Sequence, residues 1–321
     1  MDERVAAALQ IADDVLFPAA EKVDRADLVP TGHFDLLARH GLYGLAADPA
    51  DRRTLWTVSE ILASGCLATT FVWLQHHGAV QALAGADNAT LRQTWWEPLT
   101  TGRRRAGIAI GGLRPPVPSL RARRSGAGWR FDGAVPWVTG IGLIDVLLTG
   151  AATDDDRVVW ALLDAAPGPT LHAEPLHLVA ANASATMGIT FAGHEVPPEQ
   201  VVSVDPHVPP PANDGGGRGN GSLALGVTRR CCALMGPSPL DARLAQRRDR
   251  LDAATDDAMA AARAAASELA LRAATRLAVH AGSRAILADG HPPRLVREAV
   301  FTAVFGTRRA IRDHLLASLD A

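Results

Sequence analysis

Two side chains that could hold a ligand stand near the end of a predicted β-hairpin. Residues 128–148 read GWRFDGAVPWVTGIGLIDVLL, and the Asp132–Gly133 dipeptide within them predicts the hairpin turn. The second strand then ends on Trp137, Val138 and Thr139, where a loop begins. An indole ring can pack against a flat apolar ligand, and a threonine hydroxyl can donate or accept a hydrogen bond. Taken alone, however, the pattern favours a core tryptophan beside a turn threonine.

Two adjacent histidines, His76 and His77 in FVWLQHHGAV, are candidates for acid–base chemistry because histidine titrates near neutral pH. Adjacent helical residues diverge by about 100°, so the pair cannot share one metal ion. Capping of carbonyls at a helix end is the favoured role. His291 precedes two prolines and is interpreted as a turn residue. The sequence predicts no metal site.

The cysteine and lysine inventory excludes some chemistry. Cys66, Cys231 and Cys232 lack the spacing of a disulfide framework or a metal site, so they are predicted to be buried core residues. Lys22 is the only lysine, which argues against a lysine Schiff base.

Two short basic runs, Arg103–Arg105 and Arg121–Arg124, could form a phosphate or nucleic-acid surface. No aromatic residues interleave them and no known reader motif accompanies them. They are therefore interpreted as solvated faces, and no nucleic-acid partner is predicted.

The predicted secondary structure that positions these residues changes along the chain from helices to strands and back to helices. Apolar spacing of three and four predicts helices over 1–103, and short alternating runs between Gly, Pro and Asp predict about seven strands over 104–205. Residues 206–220 are rich in Pro and Gly and are interpreted as a linker. Helical patterns return over 221–321. The predicted fold class is α+β: an N-terminal all-α domain, a small central β-barrel or sandwich, and a C-terminal helical bundle.

Composition fits a large soluble chain. Of 321 residues, 48% are hydrophobic and 21% charged, and no run reaches the roughly 18 apolar residues of a membrane helix. The opening MDERVAAALQIADDV lacks the basic and apolar regions of a signal peptide. The sequence therefore predicts a cytoplasmic protein without a membrane partner.

This order of helices, β domain and helices resembles the acyl-CoA dehydrogenase superfamily. Trp137–Thr139 looks like the family's Trp-Ile-Thr, Val196–Pro197 is similar to the Val-Pro that closes its β domain, and Arg297–Ala299 resembles its Arg-Asp-Ala helix. The resemblance implies a flavoprotein with FAD, in which Trp137 packs beside the isoalloxazine ring and Thr139 hydrogen-bonds its N5 edge.

The resemblance implies further flavin contacts, although several family side chains are missing. Gly111 and Gly112 replace a Thr-Glu pair and would offer only backbone amides. Gly282 remains from the family's Gly-Gly-x-Gly turn, with Arg284 as a pyrophosphate contact. The predicted cofactor-binding residues are Trp137, Val138, Thr139, Gly111, Gly282 and Arg284.

The catalytic base of the family has no counterpart in the matching place. α,β-Dehydrogenation of an acyl thioester needs a carboxylate near the proton that leaves. An ungapped alignment puts Gly306 where the family has Glu, after Phe305 in the place of Tyr. Asp214 is a poor candidate in the predicted linker, and Glu298 is expected to face Arg294 one helical turn away. The base is therefore unassigned.

Three functions remain open. The first is an FAD-dependent oxidoreductase of lipid metabolism that dehydrogenates acyl-CoA or another acyl thioester. The second is a flavin-dependent monooxygenase on the same scaffold, which needs no Glu base. The third is a non-catalytic subunit of a heteromeric acyl-CoA dehydrogenase. The resemblance also implies a homo-oligomer, or a heteromer with a related subunit.

Overall fold

The computed structural model describes residues 2–113, 118–207 and 216–320, and its architecture is the predicted α+β order of helices, sheet and helices. The N-terminal helices are α1 (Glu3–Ile11), continued by a π-helical turn (Ala12–Leu16), α2 (Phe17–Asp24), α3 (Thr31–Arg39), α4 (Arg52–Gly65), α5 (Leu67–Ala84) and α6 (Ala89–Thr100).

A capping residue ties the last of these helices to the β domain. The side chain of Asn88 accepts a hydrogen bond from the amide of Leu91 at 3.0 Å, which caps α6. Its Nδ2 donates to the carbonyl of Val201 at 3.0 Å. One short polar side chain therefore both starts a helix and fixes its position against the sheet.

The β domain is one hydrogen-bonded set of eight strands. They are β1 (Ala106–Ala109), β2 (Leu120–Ser125), β3 (Gly128–Val138), β4 (Val146–Ala152), β5 (Arg157–Asp164), β6 (Leu171–Pro175), β7 (Met187–Val196) and β8 (Val201–Pro206). Their order is β6-β7-β3-β2-β4-β5-β8, with β1 added in parallel to β4.

The predicted hairpin turn at Asp132–Gly133 is wrong. These residues lie inside β3, which pairs along its length with β2 and β7. The register shifts between Phe131 and Gly133, and Gly133 has φ +126°. A dipeptide that permits positive φ serves here as a bulge rather than a turn, because partners on both sides hold the strand extended. The hairpin is instead β2–β3.

Both faces of the sheet are buried in its middle. Alternate residues of all the strands from β1 to β7 converge on one cluster, among them Phe131, Leu147 and Phe191, so the sheet curves around a core of its own. The opposite face of β4 and β5, with Leu148 and Leu162, packs into the core of the N-terminal helices. This two-sided burial explains the continuous apolar run of β4.

The C-terminal bundle consists of α7 (Gly216–Met235), α8 (Pro239–Ala253), α9 (Asp256–Ala281), α10 (His291–Val304) and α11 (Arg309–Leu319). Helix α7 begins inside the segment predicted as a linker, of which 208–215 lie outside the described residues. Helices α10 and α11 are separated by a turn at Gly306, where φ is +61°.

Close packing and a buried ion pair join the bundle to the N-terminal domain. A Cβ on Gly226 of α7 would lie 2.5 Å from the carbonyl oxygen of Glu60 in α4, so glycine is required where these helices meet. The carboxylate of Glu60 accepts two hydrogen bonds from Arg248, at 2.6 and 2.9 Å. The charge is buried but satisfied by a bidentate partner.

Two predictions from composition can be compared with this fold. The three cysteines are buried free thiols, as expected. Within the described ranges, no helix combines the length and apolarity needed to cross a membrane.

Candidate functional site

The end of β3 presents Trp137 at a strained bulge. The register with β7 shifts between Val135 and Val138, and Trp137 has φ +60°. A positive φ is unfavourable for a bulky side chain and persists only where neighbouring structure imposes it. The indole is 60% exposed, whereas Val138 is fully buried in the β core. The bulge therefore turns a large aromatic side chain outward at a fixed position.

Thr139 ends a buried chain of three hydroxyl groups. Its Oγ1 lies 3.0 Å from Oγ1 of Thr186, which lies 2.9 Å from Oγ of Ser184. All three residues are buried. Ser184 and Thr186 were not singled out from the sequence. The one sequence feature that could have identified Ser184 and Thr186 is the cluster of small polar residues before β7.

The segment that carries these hydroxyls is also strained. Among the described residues, four that are not glycine have positive φ, and three of them are Trp137, Ala181 and Ala185. The amide of Gly140 donates to the carbonyls of both Ser184 and Ala185, at 2.9 and 3.2 Å. Strain concentrated in two segments that hold each other is typical of a functional site.

The strained segment also meets the N-terminal domain. The amide of Val29 donates to the carbonyl of Ala183 at 2.9 Å, and Leu28 forms an isolated bridge with Ser184. The helical domain therefore fixes the loop that supplies the hydroxyls.

Gly111 packs directly behind the bulge. It lies in a short 3₁₀ turn, and a Cβ there would lie 2.6 Å from the carbonyl oxygen of Pro136. The absence of a side chain lets this turn approach β3. Ile110 and Trp137, both exposed, consequently stand on either side of the Gly111–Pro136 contact.

Gly282 and Arg284 lie at the end of α9. Gly282 ends the helix with φ +65°, and Arg284 follows in a 3₁₀ turn. Within the described part of the chain, the guanidinium of Arg284 is exposed and forms no hydrogen bond or ion pair. Its predicted role toward a pyrophosphate stays a prediction.

Gly306 faces Asn220 of α7. A Cβ on Gly306 would lie 2.8 Å from Nδ2 of Asn220, a half-buried residue whose side chain makes no hydrogen bond within the described residues. Three aromatic rings pack together next to Gly306 in the chain: Phe71 of α5 lies 4.7 Å from Phe305, the residue after α10, which stacks on Phe301 of α10 at 5.3 Å. An amide and an aromatic wall thus adjoin the aligned position of the family's Glu. Asn220 was not identified as a site residue.

Glu298 is paired as the sequence predicts. Its Oε1 accepts a hydrogen bond from Nη1 of Arg294 at 2.6 Å, and both side chains are buried. Burial raises the pKa of Glu298, and the Arg294 charge opposes that shift. Asp214, the other carboxylate considered, lies outside the described residues.

His76 is a structural residue. Its Nε2 donates to the carbonyl of Leu99 at 3.1 Å, and its Nδ1 accepts from the amide of Ala106 at 3.0 Å. These two bonds require the neutral imidazole with its proton on Nε2. Burial lowers the pKa of His76 to about 3, and that of the fully buried His77 also falls well below its usual value. His76 joins α5, α6 and β1 instead of capping the end of its own helix.

Most arginines of the two basic runs pair with neighbouring acids. Arg104 pairs with Asp145 at 2.7 Å, and Arg121 pairs with Asp154 at 2.6 Å. Arg103 contacts Glu97, and Arg105 contacts Asp35. These pairs fit the interpretation of the runs as solvated faces.

Comparisons identify the fold. No family model matches the sequence, and no curated protein matches it. Butyryl-CoA dehydrogenase from Megasphaera elsdenii aligns with a TM-score of 0.78 at 16% identity, over 100% of this chain and 99% of that one. The nitrososynthase from Micromonospora carbonacea var. africana aligns with 0.78 at 16%, over 99% and 96%. FMN-bound TdsC from Paenibacillus sp. A11-2 aligns with 0.77 at 15%, over 98% and 95%.

The chain thus has the fold of the acyl-CoA dehydrogenases and related flavoproteins, along nearly its whole length. The resemblance drawn from the sequence is confirmed at the level of the fold.

Proposed function

We propose that this chain is a flavin-dependent oxidoreductase with FAD as cofactor and an acyl thioester, such as an acyl-CoA, as substrate. The observation that carries the proposal is the strained, outward-facing Trp137 beside the buried hydroxyl of Thr139. Neighbours of the same fold include a butyryl-CoA dehydrogenase and an FMN-bound protein.

The residues present fit a flavin in two respects. An exposed indole supplies a flat apolar wall for a fused aromatic ring, and a threonine hydroxyl supplies a polar contact at its edge. Gly111 offers a backbone without a side chain next to that wall. When bound, the flavin would supply the hydride-accepting chemistry. The chain would orient it through Trp137 and Thr139.

Substrate deprotonation is where this chain departs from the dehydrogenases it resembles. The aligned position is Gly306, and the side chain next to it is the amide of Asn220. A neutral amide can hydrogen-bond a carbonyl oxygen but cannot accept an α-proton at neutral pH. Dehydrogenation would therefore need a carboxylate from another position in the chain or from a partner subunit.

This substitution supports a second candidate, a flavin-dependent monooxygenase on the same scaffold, since that reaction needs no carboxylate at Gly306. The similarity in fold to a nitrososynthase is consistent with it. A non-catalytic subunit is the third possibility, and loss of flavin binding would distinguish it.

One experiment separates the candidates. The purified protein is loaded with FAD, its visible spectrum is recorded, and acyl-CoA is added without oxygen. Bleaching of the flavin supports the dehydrogenase. Bound flavin without bleaching points to the monooxygenase or to a missing partner subunit, and an oxygenated product formed when oxygen is admitted after chemical reduction supports the monooxygenase. Failure to bind FAD or FMN overturns both.

We propose in addition that the chain assembles with a second copy or a related subunit. The bundle exposes apolar side chains around the end of α9, with Ile286 at 87% and Val279 at 77% exposure, and Leu287 lies beside them. A cluster of exposed large apolar side chains often marks an interface. Light scattering after size exclusion should give a mass above that of one chain, and Ile286→Asp should reduce it. A monomeric wild-type protein would overturn the homo-oligomer.

A further inference from the structure

We infer that Ser184 and Thr186 are positioning residues that polarise the hydroxyl of Thr139, so that it presents its hydrogen as a donor at the strand end. The inference rests on the proposed function in one respect only: the acceptor for the Thr139 hydroxyl would be a ring nitrogen of an oxidised flavin stacked on Trp137.

The three hydroxyls form an unbranched chain. Thr186 stands between the other two, at 3.0 Å from Thr139 and 2.9 Å from Ser184. Within the described residues, no further hydrogen bond involves the side-chain oxygen of Thr139 or Ser184. Each hydroxyl carries one hydrogen, so Thr186 can donate to only one neighbour.

The three hydroxyls have three possible arrangements, because Thr186 can donate to either neighbour or accept from both, and the arrangements differ in which hydrogen is left without an acceptor. If Thr139 and Ser184 both donate to Thr186, the hydrogen of Thr186 has no partner. If Thr139 donates to Thr186 and Thr186 donates to Ser184, the hydrogen of Ser184 has no partner. If Ser184 donates to Thr186 and Thr186 donates to Thr139, the free hydrogen belongs to Thr139. A buried donor without an acceptor costs free energy.

Position favours the arrangement that leaves the hydrogen of Thr139 free, because all three residues are buried and Thr139 is the one that stands two residues from the exposed Trp137. Ser184 has no exposed surface and is enclosed by the loop that packs on Val29. Thr139 lies at the end of β3, two residues from the exposed indole, where a ligand can supply the acceptor. The arrangement therefore directs the one unused hydrogen to the place where a bound ring would accept it.

Backbone contacts fix the positions of the residues that carry the three hydroxyls. Gly140, next to Thr139, donates to the carbonyls of Ser184 and Ala185, and Ala185 has positive φ. A hydroxyl that must point one way needs neighbours that cannot rotate away. The strain at Ala185 is consistent with a loop selected for position.

A double-mutant cycle on FAD binding tests this role. Thr186→Val keeps the shape but removes the donor to Thr139, and it should weaken FAD affinity by roughly three- to tenfold. Thr186→Ser should bind like wild type. In a Thr139→Val background, Thr186→Val should have no further effect, because Thr186 acts through Thr139. Equal losses in both backgrounds would mean a merely structural role and overturn the inference.

A second measurement does not need flavin. Neutron diffraction of the unliganded protein should place one hydrogen on Ser184 Oγ, directed at Thr186, and one on Thr186 Oγ1, directed at Thr139. Either of the other two arrangements of these hydrogens would overturn the inference even if FAD binds. If wild type binds neither FAD nor FMN, the proposed function fails, and the hydrogen positions still decide the polarity of the chain.

Discussion

A Cβ atom on Gly306 would lie 2.8 Å from Nδ2 of Asn220. The turn between α10 and α11 and the first turns of α7 therefore meet at these two residues, one without a side chain and one with an uncharged amide. At Gly306, where the alignment with the family places a glutamate, the chain has no acidic side chain, and the amide of Asn220 lies against the glycine.

We expect Gly306→Ala to lower the free energy of unfolding by about 1–3 kcal/mol. The φ of +61° costs a residue with a Cβ on the order of 1 kcal/mol, and the approach to Asn220 adds to it. Denaturant unfolding measures the loss. In an Asn220→Ala background the same change should cost less, because only the backbone term remains. An equal cost in both backgrounds would contradict the contact.

Asn220→Glu should introduce proton abstraction if an acyl thioester binds beside Gly306. The variant places a carboxylate where the wild-type protein has an amide, and a positioned general base accelerates proton transfer by roughly 10²–10⁴-fold. The measurement is deuterium incorporation into the α-carbon of an acyl-CoA in heavy water by mass spectrometry. Asn220→Gln is the matched control and should remain inactive. Exchange that is equal in wild type and both variants would show that the proton leaves elsewhere.

Trp137→Gly should leave stability unchanged or raise it by up to about 1 kcal/mol while abolishing flavin affinity. Glycine relieves the positive φ, at about 1–2 kcal/mol, against an entropic cost of about 0.5–1 kcal/mol. The contacts of the buried 40% of Trp137 are lost as well, which limits the gain to about 1 kcal/mol at most. Thermal unfolding and FAD titration give the two quantities. A large loss of stability would identify Trp137 as a core residue instead, and Trp137→Phe should retain part of the affinity.

Stability should fall as the pH drops from about 6.5, because of His76. Its folded pKa of about 3 lies below the ordinary value of 6.5. The unfolded chain therefore takes up a proton that the folded chain excludes, and stability is lost progressively down to about pH 3. Each pKa unit corresponds to about 1.4 kcal/mol. His76→Gln should be less stable at pH 7 but show a shallower slope between about pH 5 and 7. A pH slope equal to that of wild type would contradict the assignment to His76. A part of the slope should remain in the variant, because burial also lowers the pKa of His77.

Local patterns were sufficient for the order of the elements and for the resemblance. The helical spacing, the alternating strands and the apolar run of β4 depend on neighbours along the chain, so the sequence predicted helices, sheet and bundle. The Arg294–Glu298 pair, one helical turn apart, was predicted for the same reason and is confirmed. The Asp132–Gly133 turn was predicted wrongly, because a bulge between two partner strands uses the same dipeptide.

The sequence by itself determined the order of the elements and the burial of the cysteines, since both follow from residue types and short spacings, whereas Gly306 in place of the family's Glu is what the resemblance implies and stays a prediction. The tertiary structure alone decided that Thr139 meets Thr186, 47 positions further along, and that Gly306 meets Asn220, 86 positions earlier. Contacts over such separations depend on how strands pair and helices cross. No local pattern encodes which hydroxyl or amide will face which partner, and at this site those contacts carry the proposed chemistry.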